Sequence, residues 1–377
     1  MANTLTNLIP DVYSALDVVS RELIGFIPAV TTDLQYSRAA VGQTVRSPVA
    51  PAAAASNIAP GVTSPDDGDQ AIGSKPMTIT KARRVPVRWN GEQSLGVNSG
   101  VGTSTLLRDQ FAQAMRTLTN EIEADLAGLY FSASRAYGTA GTTPFGTAGD
   151  FSDASNVLKI LKDNGAPTGD ASLIIDTSAG AKLLGLQSRY DVAGDVQMQN
   201  QGVIINKAGL ALRESAQILT PAKGTGAGFL VNSAALTIGS TVIPADTGTG
   251  LIIAGDIVTF AGDPNKYVVT TGLSGGSFTI GAPGLRVAVA DNAAITVGAA
   301  ATRNMAFSRN AIALATRAPA LPEQGDLAVD RQIVTDPRSG LSFEVSMYPQ
   351  YRQMQYEVAL TWGVAAVKPE HMALLLG

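Results

Sequence analysis

The chain of 377 residues has no cysteine and a single histidine, His371. The first absence excludes disulfides and thiolate chemistry, so stability has to come from packing or assembly. The second excludes a His-rich zinc or iron site and leaves His371 as the one candidate for imidazole catalysis, although a satisfied surface or interface histidine is the simpler reading. Charge is sparse: Asp, Glu, Lys and Arg make up 15% of the chain, and 27 basic against 31 acidic groups give a net charge of −4. Sequence-specific nucleic-acid binding, which relies on clustered Lys and Arg, is not expected from that balance. The one compact basic group, Lys81, Arg83, Arg84 and Arg88, reads as the solvated face of a strand. No apolar run approaches the roughly 18 residues of a membrane span. Asp11, Asp17, Arg21 and Glu22 break up the apolar positions near the N-terminus, which argues against a secretory signal.

The common catalytic and phosphate motifs are missing as well. No Gly-Lys dipeptide exists, which removes the phosphate-binding P-loop, and no Gly-x-Gly-x-x-Gly follows a strand and opens a helix. Gly272 to Gly276 fits Gly-x-Ser-x-Gly, but an esterase built on Ser274 and His371 needs a strand before that serine and a helix after it. Here Ser277 to Ile280 reads as another strand, so a hairpin turn is expected. Asp66, Asp67 and Asp69 lack the ordered spacing of a calcium loop and read as a solvated turn. No catalytic residue, metal or cofactor is expected.

What is present is organisation. A chain of this length exceeds one ordinary core, so two or three packing units are expected. From Ala222 to Thr302 only seven residues are charged, while 14 of the 39 glycines fall there. Short β-branched runs alternate with glycine turns, at 235–238, 255–260, 267–270, 277–280 and 294–297, the pattern of a small barrel or sandwich made of hairpins. Its flanks, Leu219 to Pro221 and Asn304 to Phe307, read as two halves of one host layer, so the β unit is an insertion with adjacent ends.

Residues 1–45 form an N-terminal arm, with Val12, Leu16, Val19, Leu23 and Phe26 at helical spacing. Residues 46–100 contain an extended loop: Ser47 to Pro76 thins into Pro, Ala, Gly and Ser, cannot build a core alone, and returns through strand-like runs at 77–80 and 84–89. Within 101–150 lies the strongest helix, from Thr103 or Ser104 to near Tyr137 and Gly138. Its stripe of Leu107, Phe111, Met115, Leu118, Ile122, Leu126 and Leu129 recurs at steps of three and four, about 33 Å at 1.5 Å per residue. Residues 151–221 read as an α/β unit, with helices at 154–162 and 178–186 and a buried strand at 172–176. Residues 303–377 return to the first layers.

In order, a helical arm, an extended arm, a spine helix, a central α/β domain and a return to the first layer resemble the tailed-phage major capsid proteins of the Hong Kong 97 fold. Gly255 to Gly262 is similar to the barrel strand of the insertion domain in coat proteins of Lederbergvirus-type podophages. Asn304 to Phe307, Ala311 to Leu314 and Pro319 to Pro322 resemble that family's strand after the insertion, and Thr361 to Glu370 its closing segment. The resemblance covers nearly the whole chain. It departs in an insertion that is shorter and poorer in charge.

The resemblance implies an α+β fold with an N-arm, an extended E-loop, a P-domain with a spine helix, an α/β A-domain and an inserted β-barrel. It implies a non-enzymatic coat protein that joins copies of itself as hexamers and pentamers into an icosahedral shell, around a scaffolding protein, as a procapsid that expands when DNA enters. The implied partners are further copies of the chain, the scaffolding protein, a portal protein, a decoration protein and the packaged double-stranded DNA, touched without sequence preference. The implied location is the virion, after assembly in the bacterial cytoplasm. From the residues, Asp66, Asp67, Asp69, Lys81, Arg83 and Arg84 are candidates for an intersubunit arm. Asp11, Asp17 and Glu22 form an acidic face that either receives a basic scaffold helix or stays solvated while the arm packs on its own subunit. A β-rich carbohydrate-binding or tail-associated protein is the alternative, although the insertion has no Trp.

Overall fold

The computed structural model describes residues 23–33, 38–49, 55–58, 60–63, 69, 71–98, 103–147, 150–187 and 209–377. Asp11, Asp17, Glu22, Asp66 and Asp67 lie outside the described residues. After a 3-10 turn at Ile27–Ala29 come β1 (Thr31–Asp33), the ribbon strands β2 (Thr44–Val49) and β3 (Gly73–Thr78), and β4 (Lys81–Asn90). Helices α1 (Gly91–Asn98) and α2 (Thr103–Ala127) lead through a 3-10 turn at Gly128–Ser132 to β5 (Arg135–Gly138). Next are α3 (Ser152–Asp163), β6 (Ala171–Ile175), α4 (Thr177–Gln187) and β7 (Ala211–Glu214). The inserted region holds β8 (Phe229–Val231), β9 (Ala235–Leu236), β10 (Val242–Asp246), β11 (Ile257–Phe260), β12 (Lys266–Ser274), β13 (Ser277–Ile280), β14 (Val289–Ala290) and β15 (Ala294–Val297). The chain returns as β16 (Arg303–Ser308), β17 (Ile312–Arg317), β18 (Asp330–Thr335), β19 (Ser342–Gln350), β20 (Gln353–Ala366) and β21 (Met372–Leu376).

The spine helix is shorter than its expected reach to Tyr137. It stops at Ala127, where Gly128 weakens helix propagation, and continues as a single 3-10 turn. Arg135–Gly138 is a strand, inserted between β12 and β21. Leu118, Ile122 and Leu126 are fully buried in one core with Phe343, Val358, Leu360 and Trp362 of β19 and β20, and Phe111, Met115 and Leu129 pack against its margin. The stripe therefore faces a six-stranded sheet whose axis is β20. Residues 353–362 of β20 pair with β4 along one edge. On the other edge β19 pairs with 353–359 and β17 with 361–366, end to end.

A second layer centres on β16, β6, β21 and β5, whose buried residues enclose Val157, Leu158 and Leu161 of α3 and Leu183 of α4. The inserted region is a closed barrel: β11, β15, β8, β10, β13 and β12 pair in that order, and β11 pairs with β12 to shut the ring. Its core holds Val231, Ile243, Val258, Tyr267, Val269, Phe278 and Ile280. β8 and β10 join the strands that the sequence pattern outlined, whereas the run at 235–238, read as one of the barrel strands, forms β9 and pairs with β14 in a separate two-stranded sheet. The ends of the insertion are adjacent, with Arg303 N–H donating to Leu219 O at 3.0 Å and the Thr220 and Thr302 hydroxyls 3.1 Å apart.

The barrel is not a free appendage, however. β13 and β5 share one edge of β12 end to end, so the ring runs into the host sheet. Gly281, at that junction, has no room for a side chain because a Cβ would strike the Ala133 carbonyl. A fragment from Pro221 to Arg303 is still expected to fold, because six strands close without the host. Its amide NMR spectrum should be dispersed; a collapsed spectrum would show that β5 is required to complete the ring.

Candidate assembly site

The charged side chains that the sequence singled out sort into three places. Lys81, Arg83 and Arg84 are not part of the ribbon: they lie in β4, on the subunit's own sheet, and each meets an acid of the same chain. Lys81 Nζ is 2.7 Å from Asp125 Oδ1, Arg83 Nε 3.1 Å from Glu121 Oε2, and Arg84 Nη1 2.7 Å from Glu357 Oε2. The acids come from α2 and β20, distant in sequence, which is why the cluster looked unpaired. Exposed pairs of this kind contribute only about 0–1 kcal/mol each. The Lys81 pair sits deeper, since Trp362 Nε1 donates to the other Asp125 oxygen at 2.8 Å. With Trp89 Nε1 donating to Gln110 at 2.8 Å, these contacts fasten β4 along the spine helix.

Glu123 is the second place, and no sequence signal marked it. It faces inward from α2, fully buried, where its carboxylate accepts from the Gly25, Phe26 and Ile27 N–H groups at 3.2, 3.0 and 2.9 Å and from the Ser215 hydroxyl at 2.8 Å. It thus caps the entry of the N-terminal segment and ties it to the spine helix and the end of β7. Burial pushes the Glu123 carboxyl above its usual range, against the opposing pull of those four donors.

The third place is the ribbon. β2 and β3 pair from Thr44↔Thr78 to Val49↔Gly73, and only the base of the ribbon is buried, where Met77 and Ile79 join Ala39 and Ala315. There Gly363 lets β20 pass directly against the Thr78 carbonyl. Beyond the base Arg46, Pro48 and residues 73–76 are exposed, as is Asp69. At the barrel junction Arg303 is buried and donates from Nη2 to Gly255 O at 3.2 Å, and Arg135, also buried, pairs with Asp163 at 3.2 Å.

The residues that enzymatic readings would need are dispersed. Ser274 ends β12 in a hairpin, opposite Ser277, and no helix follows. His371 closes a 3-10 turn at Pro369–His371, and burial holds its imidazole below the usual range. Among the described residues no group of three or more His, Cys, Asp or Glu side chains could hold a metal, and no helix is long and apolar enough to cross a membrane. A cavity of about 540 Å³ lies between α3, β5 and the barrel, open and lined by mixed charges including Arg135, Lys159, Asp153 and Asp163. A more apolar one of about 460 Å³ lies where α1, the start of α2 and the β19–β20 turn meet.

What the molecule offers is therefore a set of layers, an exposed ribbon and a barrel held at a sheet edge: an α+β subunit with the fold of a phage capsid protein. The capsid protein of cyanophage P-SCSP1u superposes with a TM-score of 0.51 over 99% of this chain and 92% of that one, at 13% identity. The subunits of the bacteriophage PhiM1 mature capsid (TM-score 0.49, 10% identity, 99% and 92% covered) and of Mycobacterium phage Che8 (0.46, 13%, 99% and 98%) are also similar. No family model and no curated protein matches the sequence.

Proposed function

We propose that this chain is the major capsid protein of a tailed, double-stranded DNA bacteriophage, with the Hong Kong 97 arrangement of N-arm, E-loop, P-domain and A-domain and a barrel inserted in the A-domain. The observation that carries the reading is the end-to-end likeness to the P-SCSP1u capsid subunit, over 99% of this chain and 92% of that one. In these terms β2 and β3 form the E-loop, α2 with the β20 sheet the P-domain, and β6, β16, β21 and β5 with α3 the A-domain. An exposed ribbon with so little core of its own is suited to a neighbour's surface, as assembly into hexamers and pentamers requires. No step of this role needs catalysis, a metal or a cofactor. A scaffolding protein, a portal protein, a decoration protein and packaged DNA are the proposed partners, and the virion, after assembly in the host cytoplasm, is the proposed location. Arg46 and Lys75 on the ribbon, with Asp69 at its tip, are available for polar contacts between copies.

Expression in bacteria with and without the scaffolding protein of the same phage, followed by negative-stain electron microscopy, tests the reading. Closed shells or uniform hexamer lattices are expected, and the comparison tells whether curvature is encoded in this chain alone. Monomers or small oligomers under both conditions would overturn it.

A further inference from the structure

One cavity of the subunit carries cations that the rest of it leaves unmatched. It measures about 450 Å³ and lies where Pro28 and Ala29 of the N-terminal segment, the turn before β6 and the start of β7 meet. Arg213 and Arg309 line it. Among the described residues neither guanidinium forms an ion pair or a hydrogen bond, and Arg213 Nε is shielded from water without a partner. The 540 Å³ cavity differs in this respect: there Arg135 holds Asp163 and Asn265, and Lys266 donates to the Gly138 carbonyl. The fold brings the two arginines together for separate reasons. Leu212 of β7 is buried in the α3 and α4 layer, so Arg213 next to it emerges on the other face, level with Ile174 of β6. Arg309 opens the 3-10 turn Arg309–Ala311 after β16, where its N–H donates to Asp170 O at 3.3 Å and its carbonyl accepts from the Thr31 hydroxyl at 3.1 Å. Both backbones are thus fixed while both charged heads stay unmatched. Thr168 and Ser172 add hydroxyl groups to the lining, and Asp170 is its only acid.

We infer that this cavity is an oxyanion site that takes one phosphate group. Two guanidinium forks and two hydroxyls supply donors for its oxygens, and the planar guanidinium matches phosphate in a bidentate fashion. The charges agree as well, because two arginines and one aspartate leave the lining with a single positive charge, the complement of a phosphodiester. Under the coat-protein reading above, on which the choice of source rests, that phosphate belongs to the backbone of the packaged duplex; free phosphate is the other source of the same chemistry. A net charge of −4 repels a duplex elsewhere on the subunit, so contact confined to such points holds DNA weakly and without regard to its sequence.

The test uses the full-length subunit with Arg213→Gln and Arg309→Gln on one chain. Lys223→Gln with Arg286→Gln, two exposed cations of the inserted region, removes the same charge elsewhere and is the control. Inorganic phosphate, compared with chloride at equal ionic strength, should raise the urea midpoint of the unmodified chain and of the control but not of the site variant. Binding to a short DNA duplex, followed by fluorescence anisotropy over a salt series, should weaken at least about fivefold in the site variant, with the slope of log K against log salt smaller by about 1. The control should keep the slope. If the double variant does not fold, Arg309→Gln alone, on an exposed turn, carries the same comparison. Loss of duplex binding confined to the site variant supports the site with DNA as its source; a phosphate response with duplex binding unchanged supports it with free phosphate. Absence of both effects, or equal losses in site variant and control, would overturn it. None of these readouts needs a shell, so failure of the unmodified chain to assemble would overturn the coat-protein reading and leave the phosphate site standing.

Discussion

Replacing Leu118 by Asp is expected to leave the subunit unable to fold. Leu118 is 1% exposed on the inner face of α2, in the same core as Trp362, Leu360 and Phe343. The substitution removes a buried aliphatic side chain and puts a carboxylate among apolar side chains. Loss of the apolar contacts and burial of an unpaired charge together amount to about 5 kcal/mol or more. That is comparable to the whole net stability of a domain, about 5–15 kcal/mol. Thr117, one position earlier on the exposed face of the same helix, is the control: Thr117→Asp should change stability by no more than about 0.5 kcal/mol. Soluble yield and the urea midpoint of the two variants decide the matter. A folded, soluble Leu118→Asp subunit would show that α2 does not pack as described.

Glu123→Ala is expected to be nearly as damaging, for a polar reason. The change strands three backbone N–H groups, of Gly25, Phe26 and Ile27, together with the Ser215 hydroxyl. At about 1–3 kcal/mol for a buried unsatisfied donor, with some relieved by water, a loss of about 3–5 kcal/mol follows. Glu123→Gln retains one acceptor oxygen and should recover part of it. The pH dependence has a definite sign. The folded-state pKa of Glu123 is raised above the ordinary value of 4.5, so between 4.5 and that raised value the folded protein holds a proton that the unfolded chain has released. The contribution of this group is therefore fully present below pH 4.5 and declines as pH rises through the window. Stability of the unmodified chain relative to Glu123→Gln, measured by urea titration, should fall across that range. A flat or rising difference would show that the four donors outweigh burial. Protease cleavage of residues ahead of Gly25 should also speed up in Glu123→Ala if this carboxylate is what holds the segment.

The spine stripe was legible because a helix repeats its buried positions every three to four residues, and Leu118, Ile122 and Leu126 follow that period into the core. The β11–β12 and β12–β13 hairpins were legible because their strands lie next to one another in sequence, whereas the pairings of β15 with β11 and β8 and of β10 with β13, which close the ring, join strands farther apart. What escaped notice depends on distant partners. Arg135–Gly138 carries no strand signal in its four residues, and its place is set by Tyr267 and Ala373, far along the chain. Glu123 looked like one more acid on a helix, and its importance comes from N–H groups about 97 residues upstream and a serine 92 residues downstream. Lys81, Arg83 and Arg84 looked like a free cluster for the same reason: none of the acids that meet them is a sequence neighbour. The exposed aliphatics beyond the ribbon, Ile58, Val62 and Ile72, were hidden by composition, since a stretch rich in Ala, Pro and Gly reads as spacer.

The last strand carries a consequence for how the protein is made. β21 lies between β5, which it meets in parallel, and β16, which it meets antiparallel, and all five of its residues are buried. It joins the barrel side of the eleven-stranded sheet to the β16, β6 and β7 side, and it is made after every other strand of that sheet. While Met372–Leu376 is still in the exit tunnel, the β5 side and the β16 side have nothing between them to join. The spine and the barrel can form on the nascent chain, but the layer that unites them is locked only once Met372–Leu376 has emerged. Synthesis thus imposes an order on the fold: the barrel and the spine are made first, and the sheet that unites them closes when its last-made strand inserts between two made long before it.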